Sequence, residues 1–177
     1  VTNADGNWVS SGGYASIEDK IKFSPCQISK VASITKFMVG TLVFKLMEDS
    51  ANTNLSYSDL DQPLSKWIDK DILSKIENAE KSTLRNCMNH TSGMFDIITA
   101  SDFYLAVLNN PNKSWKQEEL LKFVYGKERQ FANPGDSAVY SNTNTIFVSM
   151  VIEKATGIPH EKLLRSKIID PLGMSST

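Results

Sequence analysis

Several quick assignments are excluded by what this sequence lacks. Charge of one sign is missing: 19 Lys and Arg face 20 Asp and Glu. No block of like charge occurs, so the electrostatic footprint of a nucleic-acid partner is absent. Long hydrophobic runs are missing too; the most apolar stretch is shorter than a membrane span and contains Lys45. Cysteine is scarce. Cys26 and Cys87 match no metal-ligand spacing, and neither a metal nor a cofactor is expected. Two buried free thiols are the first reading of this pair, a disulfide the second. The opening Val1-Thr2-Asn3 does not read as a signal peptide. Residues 50–130 hold no repeat and no low-complexity segment.

What is present is an ordinary globular composition over 177 residues, enough for one domain, or one domain with a lobe, around a real core. The chain is organised around residues 31–47, which read as one helix that is apolar on nearly every face after Lys36. Such a helix belongs at the centre of a fold. Its first turn carries a hydroxyl and an amine. Ser33 and Lys36 are three apart and share a face. Ser33 sits where the positive end of a helix favours developing negative charge. Apolar surroundings disfavour the charged form of Lys36, and a partly neutral lysine beside a serine hydroxyl can take its proton. The spacing alone decides little. With 21 Ser and 16 Lys, chance gives roughly two Ser-x-x-Lys matches, and this chain has one. An N-cap serine and a snorkelling lysine would look the same.

The rest of the chain supplies context. Residues 1–22 read as strands, with turn chemistry over residues 3–7 and a glycine-loosened strand over residues 8–15. Only Val1 and Thr2 stand before that turn, too little for a stable hairpin, so the chain looks cut at the front. Residues 50–130 read as short helices. One starts at residues 58–60 with Pro63 in its first turns, and Ser82 caps another over residues 83–88. A third runs over residues 103–108 behind Ser101-Asp102. Ser114-Trp115-Lys116-Gln117 has a capping-box pattern. Asn89-His90-Thr91-Ser92-Gly93-Met94 ends a helix; His90 reads as a structural hydrogen-bonder first and a catalytic base second. Asn133-Pro134-Gly135-Asp136 is a tight turn that aims Val139-Tyr140-Ser141-Asn142 inward. An apolar helix follows over residues 145–156 with Gly157 as its cap, then a last helix from about 161 to 169.

These landmarks stand in a known order. Ala32-Ser33-Ile34-Thr35-Lys36, Asn89-His90-Thr91-Ser92-Gly93, Asn133-Pro134-Gly135, Tyr140-Ser141-Asn142, Ile152-Glu153-Lys154-Ala155-Thr156-Gly157 and Pro171-Leu172-Gly173-Met174 together resemble the class C-type β-lactamases and the related DD-peptidases, penicillin-binding proteins and esterases. The likeness covers nearly the whole chain and is strongest from residue 31 onward. It implies an α+β fold of the β-lactamase/transpeptidase type over residues 1–177. The helical lobe, residues 51–144, is present and the antiparallel sheet is incomplete. It implies Ser33 as the acylating nucleophile, Lys36 as its hydrogen-bonded partner, and Tyr140 as the phenol that shuttles the proton to the leaving group. Asn142 would orient Lys36 and the substrate amide. A phenol serves as a base at neutral pH only when nearby cations stabilise its anion, and Lys36 would be such a cation.

The family's third motif, a Lys-Thr-Gly-like strand, has no counterpart. Lys154-Ala155-Thr156-Gly157 has one residue too many and ends a helix. Ser29 and Thr145 stand where aromatics are common in the family, which bears on pocket shape rather than on the chemistry. The resemblance implies a periplasmic or secreted serine hydrolase acting through an acyl-enzyme on a small-molecule β-lactam or a D-Ala-D-Ala-type peptidoglycan peptide. A carboxylesterase, a non-turnover penicillin-binding sensor and a catalytically silent relative are the alternatives. For these 177 residues by themselves, the expectation is loss of hydrolase activity, with self-association or a second polypeptide covering the apolar helix.

Overall fold

The computed structural model describes residues 2–177. Val1, read above with Thr2 as the remnant of a strand, lies outside the described residues. The chain divides into two compact units, Val1–Ser33 with Ser176, and Ile34–Ser175 with Thr177.

In the first unit, polar turn residues leave room only for brief strands. β1 (Thr2–Asn3) pairs antiparallel with β2 (Gly6–Asn7). Short as it is, this hairpin forms because the Asn3 side chain holds the turn: its Oδ1 accepts from the backbone N–H groups of Asp5 (3.0 Å) and Gly6 (3.1 Å). β3 (Tyr14–Ser16) pairs antiparallel with β4 (Ile21–Lys22) across a register irregularity. The strand expected over residues 8–15 is mostly not one. Residues 8–13 carry no strand, since two successive glycines supply no side chain to pack. Cys26, expected to be buried, is an exposed free thiol.

In the second unit, α1 (Thr35–Glu48) follows the 3-10 turn Ala32–Ile34 in the chain. It buries Val39, Leu42, Val43, Leu46 and Met47. It is not buried all round: Phe37 is 78% exposed and Phe44 43% exposed. These two, with Thr41, share the opposite stripe by helical spacing. Short helices follow: α2 (Lys70–Leu73), α3 (Leu84–Met88), α4 (Ser101–Asn109) and α5 (Gln117–Leu121). Then come α6 (Asn142–Thr156) and α7 (His160–Leu164). The last continues as a π-helical turn, Arg165–Ile169, where a single helix was expected. No helix among the described residues is long and apolar enough to cross a membrane. Among the described residues, short antiparallel strands and seven α-helices make the class α+β.

Local chemistry moves several boundaries. Thr83, not Ser82, caps α3: its Oγ1 accepts from Asn86 N–H at 3.2 Å, while Asn86 Oδ1 accepts from Thr83 N–H at 3.0 Å. Ser82 is buried and donates to Asn78 O instead. The segment expected as one helix from residues 58–60 is two 3-10 helices, Tyr57–Asp61 and Leu64–Lys66, because Pro63 stops the first and enters the second. Lys116 rather than Ser114 starts α5, its N–H donating to the Glu119 carboxylate. α6 begins three residues earlier than the apolar pattern, at Asn142, and ends as expected on Gly157 at φ 70°.

The core is where α1, α3 and α6 meet. Leu42, Leu46, Leu84, Phe147 and Ile152 are fully buried there, each burial stabilising the unit by about 1.5–3 kcal/mol. Cys87 belongs to this core as a free thiol, and burial pushes its pKa up, away from thiolate chemistry.

Candidate active site

The site of the second unit is assembled from the end of α3, the loop behind it and the start of α6. α3 stops at Met88, and His90 turns the chain in the left-handed region at φ 59°. Two backbone bonds zip this loop to the segment before α6: Gly135 N–H donates to Thr91 O (2.7 Å) and Val139 N–H to His90 O (3.1 Å). The tight turn at residues 133–136 thereby delivers Tyr140, Ser141 and Asn142 as a unit. Asp136 closes that turn by accepting from Asn133 N–H at 3.0 Å.

Side chains fix the direction of every hydrogen bond behind it. Ser92 Oγ accepts from Met94 N–H (3.1 Å) and donates to Asn144 Oδ1 (2.6 Å). That orients the buried Asn144 amide with its NH2 toward His90 Nδ1, at 3.1 Å. Ser141 N–H donates to the same Nδ1 at 3.3 Å. With two donors aimed at it, Nδ1 is an acceptor, so the ring is neutral with its proton on Nε2. Burial, then the nearby Lys36 charge, hold the His90 pKa below its ordinary value. Its ring packs on Tyr140 with centroids 4.5 Å apart. His90 is thus a structural hydrogen-bonder that props up the Tyr140 segment.

In front of this scaffold, Lys36, Tyr140 and Asn142 converge. Lys36 Nζ donates to Asn142 Oδ1 at 2.8 Å and lies 5.0 Å from the centre of the Tyr140 ring. Tyr140 Oη reaches Asn142 Oδ1 at 3.4 Å. Asn142, first residue of α6, is anchored from behind by Asp96: its N–H donates to Asp96 Oδ1 at 2.8 Å and its Nδ2 to the same carboxylate at 3.1 and 3.3 Å. Tyr140 is 45% exposed and lies beside a cation. Lys36, Asn142 and Thr145 also line a cleft of about 780 Å³ that extends to Trp115, Glu153 and His160. Ser33 belongs to the other compact unit, on the turn Ala32–Ile34 that precedes α1, three residues before Lys36 in the chain. Of the four residues singled out from sequence, three are therefore brought together here, and the fourth is tied to them by chain connectivity.

Asp96 and Asn144 escaped the sequence reading, and Ser92 was read only as part of the landmark Asn89-His90-Thr91-Ser92-Gly93. Asp96 had one legible signal, an Asp directly before Ile97-Ile98, the N-cap pattern of the 3-10 helix Ile97–Thr99 it does cap. Nothing local marks its tie to Asn142. Elsewhere, Glu153, His160 and Glu161 bring three ligand-type atoms within 4.8 Å. Glu153 Oε1 there already takes hydrogen bonds from Gln117 Nε2 (2.9 Å), His160 N–H (3.2 Å) and His160 Nδ1 (2.6 Å). The trio docks α5 and α7 onto α6.

Comparison with known proteins places the chain in a family. The Beta-lactamase family model matches residues 1–177. A D-stereospecific amidohydrolase from Streptomyces sp. is similar at TM-score 0.73 and 32% identity, over 83% of this chain and 43% of that one. The D-amino acid amidase of Ochrobactrum anthropi SV3, solved with L-phenylalanine, is similar at TM-score 0.71 and 29% identity, over 92% of this chain and 40% of that one. Among curated proteins, "Protein flp" of Staphylococcus aureus (strain N315) is 26% identical over 93% of this chain. The chain spans about 30% of the length of that relative.

Proposed function

The chain belongs to the Beta-lactamase family, and from that premise we propose that it carries the nucleophile-bearing part of a serine hydrolase that cleaves amides through an acyl-enzyme. The observation that carries the reading is the Lys36–Asn142–Tyr140 cluster, whose Lys36 stands in the first turn of α1, three residues after Ser33 in the chain. Ser33 Oγ would add to the carbonyl carbon while its proton passes by way of Lys36 and Tyr140 to the departing nitrogen. The C–N bond breaks and an ester to Ser33 remains. Water then adds to that ester, releasing the acid and returning a proton to Ser33. Asn142 Oδ1 holds the Lys36 ammonium in place, and the Lys36 charge beside the Tyr140 ring favours the phenolate over the phenol.

The substrate class proposed is an amide next to a D-configured centre. β-Lactams and D-Ala-D-Ala-type peptides are the substrates the resemblance implies, and the two solved relatives are named a D-stereospecific amidohydrolase and a D-amino acid amidase. A protein with such substrates works outside the cytoplasm, in the periplasm or secreted.

The test is labelling with a fluorophosphonate and with a penicillin, followed by intact mass. In the full-length enzyme the wild type gains one adduct, and Ser33→Ala gains none. Lys36→Ala labels more slowly by about 10²–10⁴-fold, the range of a lost proton-transfer group. An adduct that clears within minutes marks a hydrolase, and one that persists marks penicillin binding without turnover. Labelling of Ser33→Ala at the wild-type rate would put the nucleophile elsewhere. Light scattering on these 177 residues by themselves reads the self-association expected from the apolar face of α1.

A further inference from the structure

We propose that Asp96 is a positioning residue for this site: its carboxylate fixes the Asn142 amide so that Oδ1, and not Nδ2, faces Lys36 and Tyr140. The inference rests on the Ser33–Lys36–Tyr140 reading for its kinetic consequence, though not for its structural one.

A side-chain amide can turn over without changing shape, exchanging its oxygen for its nitrogen. Which end faces which way is set by its neighbours. Asn142 stands between two neighbours that each admit one answer. A lysine ammonium only donates and an ionised carboxylate only accepts. Asn142 Oδ1 meets Lys36 at 2.8 Å, and Nδ2 meets both oxygens of Asp96 at 3.1 and 3.3 Å. Turned over, Nδ2 would face the ammonium and Oδ1 the carboxylate, and both contacts would become repulsive. Asp96 also takes Asn142 N–H at 2.8 Å, so it fixes the backbone and the side chain of the same residue.

The carboxylate itself is immobile. Asp96 is 6% exposed. Its neighbours on both sides are tied to α6: Thr143 Oγ1 accepts from Ile97 N–H at 3.1 Å and donates to Phe95 O at 2.6 Å. Ser141 Oγ donates to Phe95 O as well, at 3.2 Å. Asp96 does not line the cleft that Lys36 and Asn142 share. Its hydrogen bonds reach the cleft through Asn142.

Asp96→Asn separates this role from helix capping. The new amide keeps an acceptor oxygen at the Oδ1 position for Ile98 N–H, Asn142 N–H and one bond from Asn142 Nδ2, so the cap survives, but its NH2 takes the Oδ2 position and opposes Asn142 Nδ2 there. Acylation by the penicillin probe should fall about 10²-fold, the cost of a misplaced group in a site of this kind, with thermal melting close to wild type. The Asn142 side-chain NH2 signals, assigned by their loss in Asn142→Asp, should shift and exchange with solvent at least ~10-fold faster once the buried carboxylate is gone. The exchanged pair, Asp96→Asn with Asn142→Asp, restores the pattern. A carboxylate at position 142 accepts both from Lys36 and from the amide now behind it. Its acylation rate should recover to within ~10-fold of wild type.

Unchanged Asn142 amide signals in Asp96→Asn overturn the proposal whether or not the protein is an acylating enzyme. A wild-type protein that never labels defeats the hydrolase reading and leaves the amide measurement to decide this one. If Asp96→Asn does not fold, the exchanged pair decides. Folding and labelling support the proposal; a pair that also fails to fold, or folds and labels no faster than a Lys36→Ala control, overturns it.

Discussion

Replacing Gly93 by alanine tests the packing that holds the loop behind the site. Gly93 sits at φ +70°, and an added Cβ would lie 2.8 Å from Asn78 Nδ2 and 2.9 Å from two carbons of the Phe131 ring. Neither neighbour can give way cheaply. Asn78 Nδ2 is committed to Ser92 O (3.1 Å) and Phe131 O (3.0 Å), and Gln130 N–H donates to Gly93 O at 2.7 Å. Gly126 provides the control: its φ is +67°, and nothing lies within 4 Å of its added Cβ. Gly126→Ala should cost about 1–2 kcal/mol for the left-handed backbone, reduced by about 0.4–1 kcal/mol because alanine has less unfolded-state entropy to lose. Gly93→Ala should add about 1–3 kcal/mol of overpacking to that, and unlike the control it should slow labelling, because Ser92 orients Asn144 and hence His90. Urea denaturation read as a change in midpoint at constant slope measures both. Equal destabilisation of the two variants would refute the reasoning, since it would mean the backbone strain is the whole effect.

Two further outcomes follow from the site and the core. The His90 pKa is lowered on folding, so between its folded value and about 6.5 the unfolded chain binds the extra proton; stability should rise with pH across that window. His90→Asn keeps an acceptor near the Nδ1 position and suits a left-handed residue. It should remove that part of the slope while leaving stability at pH 7 within about 1 kcal/mol of wild type. An unchanged slope would assign it to other groups. Phe147→Ala, emptying the fully buried ring of α6, should cost about 3–5 kcal/mol by urea denaturation; a loss below about 1 kcal/mol would show that α1 and α6 close over the gap.

Much of this architecture is legible in the residues because it is local. Gly157 ends α6 where the apolar pattern stops, and the Asn89 to Gly93 stretch reads as a polar helix end. What the sequence hides is long-range. α6 starts at Asn142 rather than at Thr145 because Asp96, 46 residues away, and His90 supply acceptors for the first N–H groups; no propensity records that. The one-sided burial of α1 is hidden for a related reason. Phe37 and Phe44 are apolar like the residues that are buried, and only the position of α6 and α7 decides which stripe is covered. Cys26 and Cys87 show the same limit: identical residues, one exposed and one sealed in the core. Asp96 went unread in the sequence although it caps a 3-10 helix, and its second task needs the fold to exist first.

α6 has one more property, and it is mechanical. Fifteen residues long, it is a rod of about 22 Å. It carries Asn142 at one end and, near the other, Glu153, which grips α7 through His160. A rod does not absorb displacement along its axis; it passes it on. A slide of half a residue, about 0.75 Å, would stretch the 2.8 Å contact between Lys36 and Asn142 beyond hydrogen-bonding range. The alignment of Lys36 with Asn142 therefore depends on the far end of the helix as well as on the residues that touch Lys36, and Phe147, fully buried between those two ends, seats the rod in the core.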